Sequence, residues 1–413
     1  MEYRYTYEER SLNMKAVKLI NIGNLVTYSS GDNSMVSLEK MEIVISDGKI
    51  VDIGRKLGDA DEEFDCENKL VTPGFVDCHT HPVFLDEREI EFDMRTKGYT
   101  YEEIANKGGG INNSVNGVRG SSEIELINRV TARMNNFLKL GTTTIEAKSG
   151  YGLDLDSELK SLRVLHEVNI DHDIDIIPTF MGAHAVPIEY KNDTESYVNL
   201  LCDIIIPEVA DQGIAVFNDV FCEEGYFTLD QSERILIKGL EYGLLPRIHA
   251  DEFNNLGASK LASSLNFVSA DHLMNIDDSD IKSMAQSKTK AVLLPGTTFF
   301  LGHSNFAPYH KIKEAGIEVA IATDYNPGSC NIQSMVFIIT VSSIFMKMDI
   351  LDAIYSSTYI PAKLLNISDK YGSIENGKNA DIVIWDIYSP IQIPYKFSTN
   401  PIKSVIKSGK FIF

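Results

Sequence analysis

Four ionisable residues of the chain have the types and the spacing of a metal-ligand set. His79 and His81 flank one residue in a β-rich run. Side chains of an extended segment alternate between its two faces, so both imidazoles are expected on the same side. His249 and Asp324 would complete a set of three nitrogens and one oxygen, which is typical of catalytic zinc or iron sites that keep a position open for water. For the histidine pair taken alone, two ordinary histidines at a strand end are an equally good explanation.

Other polar residues of the chain also follow short β-branched runs. Five of the nine histidines stand at the ends of such runs. In a parallel barrel the carboxyl ends of all strands meet at one rim, so residues at the run ends are expected to converge there. Besides the four possible ligands, these residues are Lys148, Tyr151, His184, Glu252, Asp271, His272 and Asn326.

The elements that must position these residues form a repeating pattern. Eight β-rich runs, each followed by a helical pattern, predict an α/β fold with a parallel (β/α)8 TIM barrel. The long gap between Thr80 and Glu123 is predicted to cover the site. The runs are Val71–Asp77, Thr142–Glu146, Ile174–Phe180, Ile214–Phe221, Leu245–His249, Phe267–Ala270, Ala291–Leu294 and Glu318–Ala322.

Both ends of the chain are β-rich, and they are predicted to form one small β-sandwich domain. Near the start, a short strand is predicted at Lys18–Ile22, and the turn Asp47-Gly48 indicates a hairpin. The predicted domains are therefore a composite β-sandwich of residues 14–71 and 372–413, a barrel of residues 72–371, and a polar N-terminal extension of residues 1–13.

Composition excludes several classes of function. The chain of 413 residues has 38 Lys and Arg against 59 Asp and Glu, a formal net charge of −21. Such a charge disfavours binding to nucleic acid or to an anionic membrane. The longest apolar run, Met335 to Met346, is shorter than the ~20 residues of a membrane span, and the first residues lack the apolar core of a signal peptide. Five cysteines without a C-x-x-C pair favour a reducing cytoplasm.

Long stretches around these residues resemble one enzyme family. The first run, Pro73 to His81, resembles the first-strand motif of the amidohydrolase superfamily, and further motifs are similar to those of its imidazolonepropionase family from about Lys15 to the C-terminus. These motifs are Arg88 with Glu91-Phe92 and Arg95, Tyr101–Ile104, Gly108–Ile111, Lys148–Leu153, Gly182–Pro187, Asp219–Glu223, His249–Phe253, Ser269–Leu273 and Thr323–Ser329.

The resemblance implies a metal-dependent hydrolase that opens the ring of 4-imidazolone-5-propanoate to N-formimidoyl-L-glutamate in histidine degradation. It implies one zinc or iron ion per subunit, held by His79, His81, His249 and Asp324. A single metal is expected because strand four ends without the lysine that bridges two metals in binuclear relatives. The family also implies a homodimer.

The resemblance also implies roles for residues around the metal. Glu252 is expected to be the acid/base group with His272 as its partner, and Asp324 could share the role of base. The expected substrate-binding residues are Arg88 for the propanoate, together with Tyr151, His184, Glu252, Asn326, Gly328 and Ser329. Gly108–Gly110 is interpreted as a flexible lid or a backbone contact, because the segment lacks the Gly-Lys-Ser/Thr of a phosphate loop.

Two other functions remain open from the sequence. A related aminohydrolase acting on a purine-like ring or another cyclic amide would keep the metal ligands and change the residues that bind the carboxylate. A non-catalytic binding relative would normally have lost a ligand or the base, whereas Glu252 and His272 are both present.

Overall fold

Two eight-stranded sheets organise the chain. The structure, a computed structural model, describes residues 15–99, 103 and 109–413. The strands are β1 Val17–Ser29, β2 Ser34–Ser46, β3 Lys49–Gly54, β4 Glu62–Asp65, β5 Leu70–Pro73, β6 Phe75–Asp77, β7 Thr142–Lys148, β8 Asp175–Ala183, β9 Phe217–Phe221, β10 Leu245–Ala250, β11 Ser269–His272, β12 Lys290–Leu293, β13 Val319–Ile321, β14 Ile382–Trp385, β15 Ile402–Lys407 and β16 Lys410–Phe411.

Helices connect most of the strands of the second sheet. They span Glu89–Thr96, Ile111–Gly120, Glu123–Lys139, Leu155–Asp171, Thr194–Leu200, Ile206–Gln212, Leu229–Glu241, Ala258–Leu265, Asp278–Ala285, Pro295–Phe300, Tyr309–Glu314, Met335–Phe345, Ile350–Ser356, Tyr359–Leu364 and Gln392–Tyr395. Among the described residues, no helix combines the length and the apolar character needed to cross a bilayer.

The second sheet is the predicted TIM barrel. Strands β6 to β13 are parallel and follow one another in sequence order, and each matches one of the eight predicted runs. The first and last strands approach at their carboxyl ends, where the amide of Asp324 donates to His79 O at 3.0 Å and the amide of His81 donates to Tyr325 O at 2.8 Å. The barrel is therefore joined at the rim where the possible metal ligands lie.

Local sequence signals explain where the long barrel helices begin. Ser122 and Glu125 form a capping box, in which the hydroxyl accepts from the Glu125 amide and the carboxylate accepts from the Ser122 amide. Thr228 and Gln231 form the same motif before the helix Leu229–Glu241. Each cap satisfies backbone donors that the helix leaves free, which is worth about 1 kcal/mol.

The first sheet combines both ends of the chain, as predicted. Its order is β16-β15-β14-β5-β1-β2-β3, and β4 also pairs with β1. β1 is longer than the predicted Lys18–Ile22, because it pairs with β2 along most of its length and changes its other neighbour from β4 to β5. We propose that residues 14–71 and 372–413 form one domain and residues 72–371 the other. Residues 1–13 of the predicted extension and Gly108 lie outside the described residues.

Candidate metal centre and active site

Three of the four predicted metal ligands converge within bonding distance of one shared point. The Nε2 atoms of His79 and His81 are 3.3 Å apart, and Asp324 Oδ1 lies 3.5 and 3.4 Å from them. All three side chains are buried. A tetrahedral ion with ligands at about 2.0–2.1 Å would separate neighbouring ligand atoms by roughly 3.4 Å. The arrangement therefore fits one small divalent ion.

His249, the fourth predicted ligand, lies beside both His79 and His81, and its ring centroid is 5.5 Å from that of His81. Its ring centroid is 4.6 Å from that of His79 and 5.1 Å from that of His272. Among the described residues, the groups that could hold a metal all include His79, and His249 shares a group with His79 and His272. The structure thus brings all four residues to one site, where the ring centroids of His79, His81 and His249 are all within 5.5 Å of one another.

Two carboxylates determine which nitrogen of each histidine is free. His79 Nδ1 lies 2.6 Å from Asp271 Oδ2, and His249 Nδ1 lies 3.0 Å from Asp219 Oδ1. A carboxylate acceptor favours the imidazole tautomer with the proton on Nδ1, so the lone pair is on Nε2. Both Nε2 atoms are then available to a metal.

The protonation of the histidines also suits metal ligation. Burial, the largest cause, lowers the pKa of His79 and His81 well below the usual value of histidine. Burial likewise lowers the pKa of His272 to about 3, and neither of its ring nitrogens has a hydrogen-bond partner. Buried polar atoms without partners are rare in folded proteins, and a bound ion, water or substrate would satisfy them. The donor set therefore fits the metal that the family implies.

The backbone is strained at three residues that follow or end barrel strands at this rim. Asp324 has φ +53°, His272 has φ +81° and Asp251 has φ +52°, all in the left-handed region that non-glycine residues rarely occupy. Such conformations concentrate at functional sites, where the surrounding fold maintains them. A hydroxyl hydrogen bond from Thr297 also holds the second oxygen of Asp324.

Glu252 is placed to exchange a proton beside the ligand cluster. Its Oε2 lies 3.5 Å from His272 Nε2, and the side chain is only 7 % exposed. Burial, followed by the negative charges of Asp324 and Glu223, raises the pKa of Glu252 well above the usual value of a glutamate. A carboxyl group with a raised pKa beside a reacting atom is suited to exchanging a proton with it.

Tyr151 and His184, two of the predicted substrate-binding residues, lie beside His81. The rings of His81 and His184 are stacked with centroids 5.0 Å apart, and Tyr151 lies 5.1 Å from His184. His184 Nδ1 donates to the Gly150 carbonyl at 3.0 Å, so its Nε2 remains available. Burial is the largest cause that raises the pKa of Tyr151, which keeps the phenol protonated.

Arg88, which is predicted to bind the carboxylate of the substrate, already uses part of its guanidinium for a contact within the protein. Its Nε and Nη2 donate to the two carboxylate oxygens of Glu91 at 2.9 and 2.6 Å. The remaining edge of the guanidinium faces Gly328, where a Cβ would approach Arg88 Cζ to 2.8 Å. Gly328 therefore needs to be glycine for Arg88 to reach this position, and the two predicted residues lie together.

The side chains of Asn326 and Ser329 form hydrogen bonds within their own loop. Asn326 Oδ1 accepts from the amides of Gly328 and Ser329 at 2.8 and 2.7 Å, and its Nδ2 donates to Asp324 O and to Ser329 Oγ. All hydrogen-bonding positions of this amide are filled. Asn326 shapes the loop that carries Gly328, and its contact with substrate stays a prediction.

The sequence assigned no role to five charged residues of the barrel strands. Two of them, Lys148 and Asp271, were expected at the rim because they stand at the ends of β-rich runs. Glu146, Asp219 and Arg247 lie with them under the ligand cluster, and all five are fully buried. A signal for them was present, because Glu146 and Lys148 alternate with apolar residues in β7 and Arg247 alternates with His249 in β10. Residues two positions apart on a strand share a face.

Comparison with known proteins identifies the family of the chain. The model of the amidohydrolase family matches residues 248–412, which include His249, Glu252, His272 and Asp324. The imidazolonepropionase of Brevibacillus brevis is 41% identical over 96% of this chain and 98% of its own length. The imidazolonepropionase of Clostridium tetani is 42% identical, covering 92% of this chain and 92% of the relative. The chain belongs to the imidazolonepropionase family.

Solved structures show the same fold at much lower identity. A zinc-bound adenosine deaminase from Xanthomonas campestris matches with a TM-score of 0.69 at 17% identity, covering 96% of this chain and 92% of the other. A triazine hydrolase from Arthrobacter aurescens matches with a TM-score of 0.74 at 15% identity, covering 97% and 95%. The resemblance found in the motifs is thereby confirmed, and this imidazolonepropionase-family chain has the barrel and terminal sheet of amidohydrolases.

Proposed function

We propose that the site described above opens the ring of 4-imidazolone-5-propanoate by adding water across a ring C–N bond. The chain is a hydrolase of the imidazolonepropionase family, whose reaction belongs to histidine degradation. The observation that carries the assignment of the site is the convergence of His79, His81 and Asp324 beside Glu252 and His272. The product is N-formimidoyl-L-glutamate.

The proposed metal ligands are His79, His81, His249 and Asp324. When bound, a zinc or iron ion at these residues supplies Lewis-acid activation of water and of the amide carbonyl. We propose one ion per chain. Asp219 and Asp271 could form a second metal-binding group with His79, but Lys148 and Arg247 already pair with these two carboxylates.

The protein's own residues would move the protons. Glu252 would accept the proton of the attacking water and deliver one to the ring nitrogen as the C–N bond breaks, with His272 orienting the water or the carbonyl. Asp324 Oδ1 could share the first step, since it lies beside both ligand histidines. A positioned acid/base group of this kind contributes about 10²–10⁴-fold in rate.

The substrate's propanoate would be held by a cation in an otherwise acidic protein. The free edge of Arg88 next to Gly328 is the proposed carboxylate contact, and Tyr151 and His184 are the proposed contacts to the ring. Asn326, Gly328 and Ser329 are proposed to contact the ring or the product, and Asn326 also shapes the loop that presents Gly328.

The decisive experiment measures product formation by the purified, metal-loaded protein. 4-Imidazolone-5-propanoate and a panel of purines should be tested side by side, with N-formimidoyl-L-glutamate and ammonia as the respective readouts. Ring opening confirms the proposal. Deamination of a purine without ring opening supports the related aminohydrolase, and binding without turnover supports a non-catalytic relative.

Three finer properties are proposals with their own tests. Metal analysis of protein purified from its native host distinguishes zinc from iron, which the N₃O ligand set both accepts. Sedimentation would test the homodimer that the family suggests. Location in a reducing cytoplasm is supported by the five cysteines, all free and buried, and fractionation of cells would test it.

A further inference from the structure

A layer of buried ionic side chains lies directly beneath the proposed metal ligands, and the reaction described above gives it no role. Its members all come from barrel strands, are fully buried, and contact one another or a ligand histidine. They are Glu146 and Lys148 of β7, Asp219 of β9, Arg247 of β10 and Asp271 of β11. We call this set the ionic floor.

The first half of the ionic floor starts at His79. Asp271 Oδ2 lies 2.6 Å from His79 Nδ1 and also accepts a hydrogen bond from Arg247 Nη2 at 2.7 Å. Arg247 Nη1 then lies 3.4 Å from Glu146 Oε1. The carboxylate that orients His79 is therefore itself held by a fixed guanidinium.

The second half leads from Glu146 to His249. Lys148 Nζ donates to Glu146 Oε1 at 2.7 Å and lies 2.9 Å from Asp219 Oδ2. Asp219 Oδ1 is 3.0 Å from His249 Nδ1. The contacts thus run without a break from one proposed ligand to the other, and each histidine is reached through a carboxylate.

The two cations have a geometric task in this arrangement. A carboxylate can rotate about its side-chain bonds, so a single hydrogen bond from an imidazole does not fix its direction. Lys148 and Arg247 each hold an oxygen of the carboxylate that orients a histidine. Arg247 lies on the strand next to that of Asp271, whereas Lys148 of β7 reaches past β8 to Asp219 of β9. Residues that hold metal ligands in this way commonly determine metal affinity.

We propose that Lys148 and Arg247 are positioning residues that aim Nε2 of His249 and His79 at one shared ion through Asp219 and Asp271. This inference rests on the proposed metal site. It makes Lys148 a fixed ammonium group that serves the centre from below, rather than a metal ligand.

The chain offers a matched control for Lys148. Lys407 is also buried and also lies between two carboxylates, those of Asp175 and Asp381. Asp175 is the first residue of β8, so this cluster lies at the opposite end of the barrel from the histidines. Replacing either lysine by methionine removes the same buried charge, but only Lys148 is linked to a proposed ligand.

The test compares zinc affinity in full-length, metal-depleted protein by competition with a chromophoric chelator. Lys148→Met is expected to weaken zinc binding by about 10–100-fold, and Lys148→Arg, which keeps a cation, by less. Lys407→Met is expected to bind zinc as tightly as the wild type. Circular dichroism and thermal melting of the same samples establish that each variant is folded.

A second variant covers the case in which Lys148→Met does not fold. Removing one member of a buried ion pair leaves an unpaired charge, whereas Glu146→Gln with Lys148→Met removes both charges together. The double variant is expected to show the same loss of zinc affinity, because Asp219 again lacks its ammonium partner.

Three results would overturn the inference. The first is wild-type zinc affinity in folded Lys148→Met or in the double variant. The second is an equal loss in Lys407→Met, which would show that any buried lysine has this effect. The third is an absence of zinc binding by the wild-type protein, which would contradict the proposed metal site itself and is recognised by that separate readout.

Discussion

The two buried lysines at opposite ends of the barrel are chemically similar and structurally different. Lys148 lies between Glu146 and Asp219, and Lys407 lies between two other aspartates. Asp219, which lies next to Lys148, also contacts the imidazole of His249. Asp381, which lies next to Lys407, instead accepts a hydrogen bond from the Ser408 amide at 2.9 Å. A buried lysine between two carboxylates thus lies next to a proposed ligand histidine at one end of the barrel, and at the other end it joins the two sheets.

The two ends also differ in how completely their polar atoms are satisfied. At the site end, His272 has both ring nitrogens without a hydrogen bond and a left-handed backbone. Among the described residues, no orphaned buried atom belongs to the Lys407 cluster. Unsatisfied buried polar groups cost stability, so the two free ring nitrogens of His272 beside Glu252 indicate a position where a ligand would bind.

The largest expected effect lies at the site end. Asp324→Ala removes the oxygen that lies 3.5 and 3.4 Å from the two histidine Nε2 atoms. We expect loss of the bound metal and a decrease in kcat of about 10³-fold or more, because the ion contributes several kcal/mol to catalysis. Metal analysis and steady-state assays measure both. Asp381→Ala removes a buried carboxylate at the other end and should retain metal and turnover, whereas full activity of Asp324→Ala would refute the ligand assignment.

The next effect tests the acid/base group. Glu252→Gln keeps the shape of the side chain and removes its exchangeable proton, so kcat is expected to fall by about 10²–10⁴-fold while metal content stays the same. Glu375→Gln, the same change in the terminal sheet, serves as the control. A kcat for Glu252→Gln within a few-fold of the wild type would transfer the role to Asp324.

A substitution of Lys407, which pairs with Asp175 and Asp381, is expected to change the stability of the protein but not its turnover. Lys407→Met leaves the carboxylates of Asp175 and Asp381 buried without their cation, which should lower the free energy of unfolding by about 3–5 kcal/mol. The denaturation midpoint is measured in urea, and kcat is measured on the folded protein. A decrease in kcat with an unchanged midpoint would remove the distinction between the two ends.

The smallest effect is a pH dependence in the terminal sheet. Burial alone would raise the pKa of Glu375, but hydrogen bonds from Ser373, Ser30 and Lys378 lower it to about 2. A carboxylate with a lowered pKa in the folded state adds stability above its unfolded pKa and loses it as the pH falls through the folded value. The difference in melting temperature between the wild type and Glu375→Gln should therefore shrink between about pH 4.5 and pH 2. A difference that does not change with pH would contradict this ionic role.

Much of the barrel could be predicted because its signals are local. Seven of the eight β-rich runs each match one barrel strand, and the first, Val71–Asp77, is divided between β5 of the first sheet and β6 of the barrel. The capping residues Ser122 and Thr228 begin helices where the helical pattern starts. The length of β1 was not predicted, because its outer half gains its order from pairing with β2 rather than from its own pattern. Pairing between distant segments is a tertiary property.

By itself, the sequence determined the ligand types, the H-x-H spacing that places two imidazoles on one face, and the order of strands that brings Asp324 back to His79. Only the tertiary structure decided which carboxylate lies beside which histidine and that Arg88 shares its guanidinium with Glu91. It also decided that Lys148 contacts Asp219 while Lys407 joins the two sheets. The spacing of apolar and polar residues that predicts a strand or a helix can be recognised within a few neighbouring residues. Hydrogen-bond partners between strands depend on distances that exist only after the barrel has closed.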